Sequence, residues 1–141
     1  MMRNLIIGFL VLINNSAYSQ SAYTPIKGSP ERKEILDCLR PGTDNTVIFK
    51  VEHFLINNDW ACVMAVPRYY HEEGSSKYDE GEYMWGLFKK SSGKWKMIDW
   101  SQGVEIRDDF ELIDVPIQNS RVAKLIVKKY PGCPMAIFPK H

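Results

Sequence analysis

Apolar side chains recur at every second position in the first part of residues 46–56, where Val47, Phe49 and Val51 share one face of an extended chain. This period of two residues predicts a β-strand. Residues 57–59 are Asn and Asp, which tolerate the left-handed backbone of a tight turn. We therefore expect the chain to reverse there and to form an antiparallel hairpin.

The returning strand is predicted over residues 60–66, and both of its faces are apolar. The bulky side chains of Trp60, Cys62 and Met64 point to one face, and the smaller residues between them point to the other. Since small side chains let a helix approach closely, we expect a helix across that second face. Pro67 is expected to end the strand, because proline has no N–H to donate to a ladder.

The remaining pattern predicts a second hairpin from residues 83–90 and 95–101, around a turn that contains glycine. Between the hairpins, residues 68–82 are polar and rich in Gly and Ser, which indicates a long loop. Residues 102–119 favour neither a helix nor a strand, and residues 133–141 are expected to form an extended tail. We see neither an internal repeat nor a linker.

Two short helices complete the prediction. Ser29, Pro30 and a following acid are typical of a helix start, and Pro41 sets its end. A second start at Ser120 precedes an apolar stripe that runs to Tyr130. The sequence thus predicts a single α+β domain, in which a curved antiparallel sheet of about four strands packs on an N-terminal helix and a C-terminal helix follows.

Composition places the 141-residue chain among ordinary globular domains, with 45% hydrophobic and 25% charged residues. That hydrophobic content is too high for a disordered chain. The 18 Lys and Arg residues nearly match the 17 Asp and Glu residues, which leaves a net charge of +1. Because the chain has no overall basic field, we do not expect nucleic acid as a partner.

The N-terminus has the order of a secretory signal peptide. Arg3 precedes uncharged apolar residues 5–13, and a polar stretch with small residues follows. The alternative is a buried N-terminal strand or helix. The apolar run is shorter than the about 20 residues that a membrane span needs. We expect residues 1–19 to be a signal peptide and residues 20–141 to be a periplasmic or secreted domain of almost no net charge.

Three cysteines lie in the predicted exported domain, where an oxidising compartment favours one disulfide and one remaining thiol. Cys62 sits in an apolar run and is expected to act as a small core residue. This leaves Cys38 and Cys133 as the suggested disulfide, provided that their Cβ atoms meet. No Cys or His spacing predicts zinc, and we expect neither a metal nor a cofactor.

Catalytic motifs are absent from the sequence, which lacks Gly-x-Ser-x-Gly, Ser-x-x-Lys and His-Glu-x-x-His. Asp99 is the one weak catalytic candidate, because its position predicts that it shares a face with Trp95 and Met97. If that face lines a cavity, burial would raise the pKa of Asp99 and allow general acid or base chemistry. The alternative is a strand-end carboxylate that accepts hydrogen bonds or lies in water.

Tyrosine is concentrated in and beside the predicted loop 68–82. Tyrosines among small flexible residues offer large contact areas with few rotamers to freeze, as in antibody paratopes. The candidate binding residues are therefore Tyr69, Tyr70, His71, Tyr78 and Tyr83. The alternative is a solvated hairpin connection whose rings fold back on the sheet.

Two stretches carry a resemblance to known families. Asp-Trp-Ala at the centre of residues 49–66, followed by Lys-x-x-Gly-x-Trp-Lys within residues 87–98, resembles the ketosteroid-isomerase/nuclear-transport-factor (cystatin-like) superfamily. The resemblance implies a curved sheet around a helix, in a superfamily that includes both enzymes and binding modules. Residues 28–37 resemble the start of small exported bacterial proteins of unknown function.

These observations favour a small exported binding module, without enzymatic activity, that engages a protein or cell-envelope component in the manner of an inhibitor or immunity protein. The alternative is a small-molecule pocket protein, or a minor acid/base enzyme of the ketosteroid-isomerase type that uses Asp99. That alternative requires a cavity of at least about 300 Å³ with Asp99 in its wall. A purely structural envelope factor is a third possibility, and the sequence leaves the oligomeric state open.

Overall fold

The computed structural model describes the chain in four stretches, which are residues 20–40, 47–72, 74–103 and 115–141. The predicted signal peptide and much of the segment of undecided pattern lie outside the described residues. Two α-helices and an antiparallel sheet make up the described part, and this confirms the predicted α+β class.

Helix α1, Pro30–Leu39, begins as the sequence predicts. The side chain of Ser29 accepts a hydrogen bond from the backbone N–H of Arg32 at 3.2 Å, and Pro30 occupies the first helical position. Ile35 and Leu39 form the buried face of the helix. Arg40 then returns to an extended backbone and ends the helix.

The sheet is built from strands β1, Val47–Asn57, β2, Trp60–Tyr70, β3, Tyr78–Glu80, β4, Met84–Ser91, and β5, Lys94–Ile98. Their order is β1-β2-β4-β5, and every pairing is antiparallel. Strand β3 pairs with the end of β2 beyond its pairing with β4. The four expected strands are therefore present, with a short fifth strand in the segment that the sequence predicts as a loop.

Pro67 does not end β2, and the expectation from the sequence is wrong at this point. The pairing of β2 with β4 stops at Ala65, and its pairing with β3 starts at Arg68, so Pro67 lies in the gap between the two partners. A proline is tolerated there because its backbone polar groups point toward this gap and away from Phe49, its partner in β1, so the β1–β2 ladder loses no hydrogen bond. Its carbonyl still accepts a hydrogen bond from the N–H of Gly81 at 2.8 Å.

The two faces of β2 carry different layers, as the alternation of small and bulky side chains predicts. Helix α1 packs on the face that contains Ala61 and Val63, where its Ile35 joins a buried cluster with Phe88. The opposite face, which begins at Trp60, packs against the C-terminal part of the chain. The sheet therefore lies between two layers, and each layer has its own hydrophobic core.

Helix α2, Arg121–Lys129, forms the second layer. Ser120 caps it by accepting a hydrogen bond from the N–H of Ala123 at 3.2 Å, which confirms the predicted start. The tail is not fully extended, because Met135–Ile137 forms a 3₁₀ turn that packs beside β1 and β2. His53 of β1 fastens this turn by donating from Nε2 to the carbonyl of Ile137 at 2.7 Å.

Candidate binding surface

The outer end of the sheet brings two of the predicted tyrosines into direct contact. Tyr70 of β2 and Tyr78 of β3 occupy opposite positions in the ladder, and their ring centroids are 5.2 Å apart. Side chains of directly paired residues project from the same face of a sheet. Their contact therefore forms an aromatic patch on one face of the β2–β3 pair.

Arg68 and Glu80 extend this patch toward the centre of the sheet. They are also a ladder pair, and Arg68 Nε lies 3.2 Å from Glu80 Oε1. The guanidinium of Arg68 covers the Tyr78 ring at 4.7 Å from its centroid, and the exposed Ile48 pairs with Arg68 from β1. We call the five residues Ile48, Arg68, Tyr70, Tyr78 and Glu80 the tyrosine face.

The structure separates Tyr69 from the tyrosine face. Tyr69 lies one position before Tyr70, so it projects to the opposite side of β2. It packs closely over Gly81, where an added Cβ would lie 2.8 Å from Tyr69 Cε2. Tyr69 is nonetheless 40% exposed, so the β2–β3 pair has exposed aromatic surface on both of its faces.

His71 follows directly after β2 and contacts residues at the start of β3, so it is not part of the aromatic patch. Its Nε2 atom lies 3.4 Å from Asp79 Oδ2, and its backbone N–H donates to the carbonyl of Lys77. Both side chains of the pair are exposed. The contact therefore links the two sides of the loop that joins β2 to β3.

Tyr83, the last of the predicted binding residues, lies nearer the middle of the sheet. Partial burial raises the pKa of Tyr83 above its ordinary value, and the charge of Glu52 raises it further. Tyr83 is 41% exposed and is not part of the core between the sheet and the C-terminal layer.

A β-bulge interrupts strand β1 at Glu52. The register passes from Val51 opposite Ala65 to His53 opposite Met64, so Glu52 is an extra residue in its strand. Simple alternation, which would put Glu52 and His53 on opposite faces, does not hold across a bulge. The bulge is not predictable from the sequence, because no glycine or proline marks it.

Asp99 follows the end of β5 and is exposed. Its Oδ1 atom accepts a hydrogen bond from the hydroxyl of Ser101 at 2.7 Å, and its carbonyl accepts one from the N–H of Gln102. Lys129 of α2 donates to the carbonyls of Trp100 and Gln102 and holds this turn against the C-terminal layer. Asp99 thus has the surroundings of the strand-end alternative.

The suggested bridge between Cys38 and Cys133 is not formed in this structure, where all three cysteines are free thiols. Cys38 packs on the α1 side of the sheet, and its Sγ approaches the carbonyls of Glu34 and Trp95. Cys133 is buried in the core on the other face. The sheet therefore lies between the two residues.

An open groove of about 520 Å³ runs along the outer edge of β1, between residues 51–55 and residues 24–27 of the leading segment. Arg32 of α1 completes its wall, donating to the carbonyl of Pro25 and lying 5.0 Å from the centroid of the Phe54 ring. Asp99 is not among its lining residues. The groove therefore provides no cavity for acid or base chemistry by Asp99.

Within the described residues, no three side chains of the His, Cys, Asp or Glu type are grouped as metal ligands. No helix in those stretches is both long and apolar enough to cross a membrane. Comparisons with protein-family models, curated proteins and solved structures gave no match to this chain. The resemblances described from the sequence stay predictions.

Proposed function

We propose that the protein is an exported, non-enzymatic binding module that engages a protein of the cell envelope through the tyrosine face. The observation that carries this proposal is the contact of Tyr70 and Arg68 with Tyr78 on the β2–β3 pair, which is already formed without a partner. Tyrosine and arginine dominate binding energy at protein interfaces. Here both residue types are held in place before a partner arrives, which lowers the entropic cost of binding.

The charge of the tyrosine face favours a protein over an anionic polymer. Glu80 balances Arg68 within the patch, so no uncompensated cation remains in it to attract a phosphate or acidic sugar chain. Ile48, which is 54% exposed, adds an apolar neighbour to the aromatic rings. An apolar centre with paired charges beside it is typical of protein interfaces.

The pocket enzyme receives less support than the binding module. Asp99 is exposed and does not line the groove described above. Its hydrogen bonds belong to a local turn and to the helix that covers that turn. The tyrosine face, in contrast, combines partial exposure with a fixed arrangement of side chains.

Replacing Tyr70 and Tyr78 together by Ala tests the proposal. The full chain is expressed, and its intact mass in the envelope fraction tests removal of residues 1–19. Immobilised protein then captures partners from an envelope extract, and the dissociation constant of the captured protein is measured. We expect the double variant to bind at least about 30-fold more weakly, since each hot-spot residue contributes about 1–2 kcal/mol or more.

Tyr23→Ala provides a matched control, because Tyr23 is exposed to the same degree as Tyr78, 37% against 38%. This variant should bind as well as the original protein. Equal affinity of the Tyr70/Tyr78 variant, or equal loss in both variants, would contradict the proposed surface. Capture of a polysaccharide or lipid in place of a protein would contradict the partner class, and unprocessed protein in the cytosol would contradict export.

A further inference from the structure

Two of the three cysteines lie in the same buried core. Cys62 projects from the middle of β2 and is fully buried, and Cys133 is 2% exposed. Both belong to the cluster between the sheet and the C-terminal layer, together with Trp60 and Ile126. Cys38 is excluded from this cluster, because it packs with α1 on the opposite face.

The turn after α2 carries Cys133 to the start of β2. The Tyr130 ring packs against Trp60 with centroids 5.6 Å apart, and the N–H of Cys133 donates to the Tyr130 carbonyl at 2.9 Å. Gly132 lies against the same indole, since a Cβ added there would be 3.8 Å from Trp60 Nε1. Trp60 and Cys62 project from the same face two positions apart, so this turn packs on the face of β2 that carries Cys62.

We propose that Cys62 and Cys133 form the disulfide of this protein and that Cys38 remains the free thiol. Their common cluster and the position of the turn over β2 carry the inference. The chemistry of the pairing is independent of the binding partner. Only its occurrence in the cell rests on the proposed export, which would supply an oxidising compartment.

The electrostatics of the two thiols agree with their proximity. Burial raises the pKa of Cys62 well above its ordinary value, and the charge of Cys133 raises it further. Burial also raises the pKa of Cys133, to about 12. Because only the thiolate attacks a disulfide, the folded and reduced protein should oxidise slowly. Efficient pairing therefore takes place while the chain folds.

With glutathione disulfide as the oxidant, the reaction proceeds by two exchanges. The thiolate of one cysteine attacks glutathione disulfide, forms a mixed disulfide and releases one glutathione thiolate. The thiolate of the other cysteine then attacks the protein sulfur of that mixed disulfide and releases the second glutathione. Two protein thiols lose two protons and two electrons to become one disulfide, and one glutathione disulfide becomes two glutathione molecules.

Refolding in a glutathione redox buffer tests the pairing. The full chain is reduced, denatured, refolded with oxidised and reduced glutathione, and alkylated, and the bridged peptides are identified by mass spectrometry. We expect one bridge, between the peptides of Cys62 and Cys133, and one alkylated residue, Cys38. The variant Cys38→Ser should keep the bridge and contain no free thiol.

The variants Cys62→Ser and Cys133→Ser should each lose the intramolecular bridge. If either fails to fold, the Cys38→Ser protein still decides the question, because only the proposed pair remains in it. Circular dichroism verifies that this variant is folded before its thiols are counted. Two free thiols in folded Cys38→Ser protein, a bridge that includes Cys38, or only intermolecular disulfides would overturn the proposal. Failed partner capture would leave it unaffected.

Discussion

The substitution Gly86→Ala tests how tightly helix α1 packs on strand β4. A Cβ at Gly86 would lie 2.7 Å from Phe88 Cζ and 3.1 Å from Leu39 Cδ2, both closer than normal contact. Phe88 is fully buried, so its ring has little room to move. Overpacking of this kind costs about 1–3 kcal/mol, whereas the lower entropy of the unfolded alanine chain offsets about 0.4–1 kcal/mol. We expect a net loss of about 1–2 kcal/mol.

Urea unfolding followed by tryptophan fluorescence measures this loss. With a slope of about 2 kcal/mol per molar urea, the midpoint should fall by about 0.5–1 M. The Phe88→Leu background should reduce the cost of Gly86→Ala, because the shorter side chain removes the closest contact. Gly132→Ala is the matched control, since its nearest contact is an ordinary 3.8 Å, and it should change stability by less than about 0.5 kcal/mol. An unchanged or raised midpoint for Gly86→Ala would refute the packing argument.

Two further predictions concern the polar contacts of α1. Glu34→Ala removes a carboxylate that accepts a hydrogen bond from the N–H of Trp95 at 3.0 Å. The free energy of unfolding, measured in urea, should fall by about 1.5–3 kcal/mol. A loss no larger than that of the exposed-residue variant Lys33→Ala would contradict the role of this bond. A hydrogen bond from Lys33 holds the pKa of Asp37 below its ordinary value of 3.8, although burial opposes this effect. A carboxylate whose pKa is lowered in the folded protein stabilises the fold at any pH above its ordinary pKa, and this stabilisation is lost as the pH falls through the pKa of the folded state. Asp37→Asn should therefore be slightly less stable than the original protein at pH 7. The two proteins should become equally stable in acid, and a difference that grows toward low pH would contradict the sign.

The sequence predicts the layers of this fold because each layer corresponds to a pattern of residues that are close together in the chain. Ser29 and Pro30 mark the start of α1, and the alternation of Trp60 and Ala61 assigns the two faces of β2. These signals rest on local backbone preferences and on the period of a strand. Neither needs knowledge of which distant residues meet.

Features that depend on distant contacts were not predictable in the same way. From the sequence, Pro67 predicts the end of a strand. Only the gap between β3 and β4 explains why β2 tolerates a proline at this position. The placement of Cys38 and Cys133 was not predictable either, because no local pattern puts them on opposite sides of the sheet. The contact between Tyr70 and Tyr78 depends on a ladder register that spacing alone does not set.

The outer edge of β1 has a consequence for the solution behaviour of the protein. Tyr23 exchanges two 2.8 Å backbone hydrogen bonds with Ile56 at one end, and Arg40 donates to the carbonyl of Val47 near the other. The bulge at Glu52 interrupts the strand between them. A blocked and kinked edge is a poor template for adding strands of neighbouring molecules. The same elements that shape the sheet therefore oppose aggregation through this edge at high concentration.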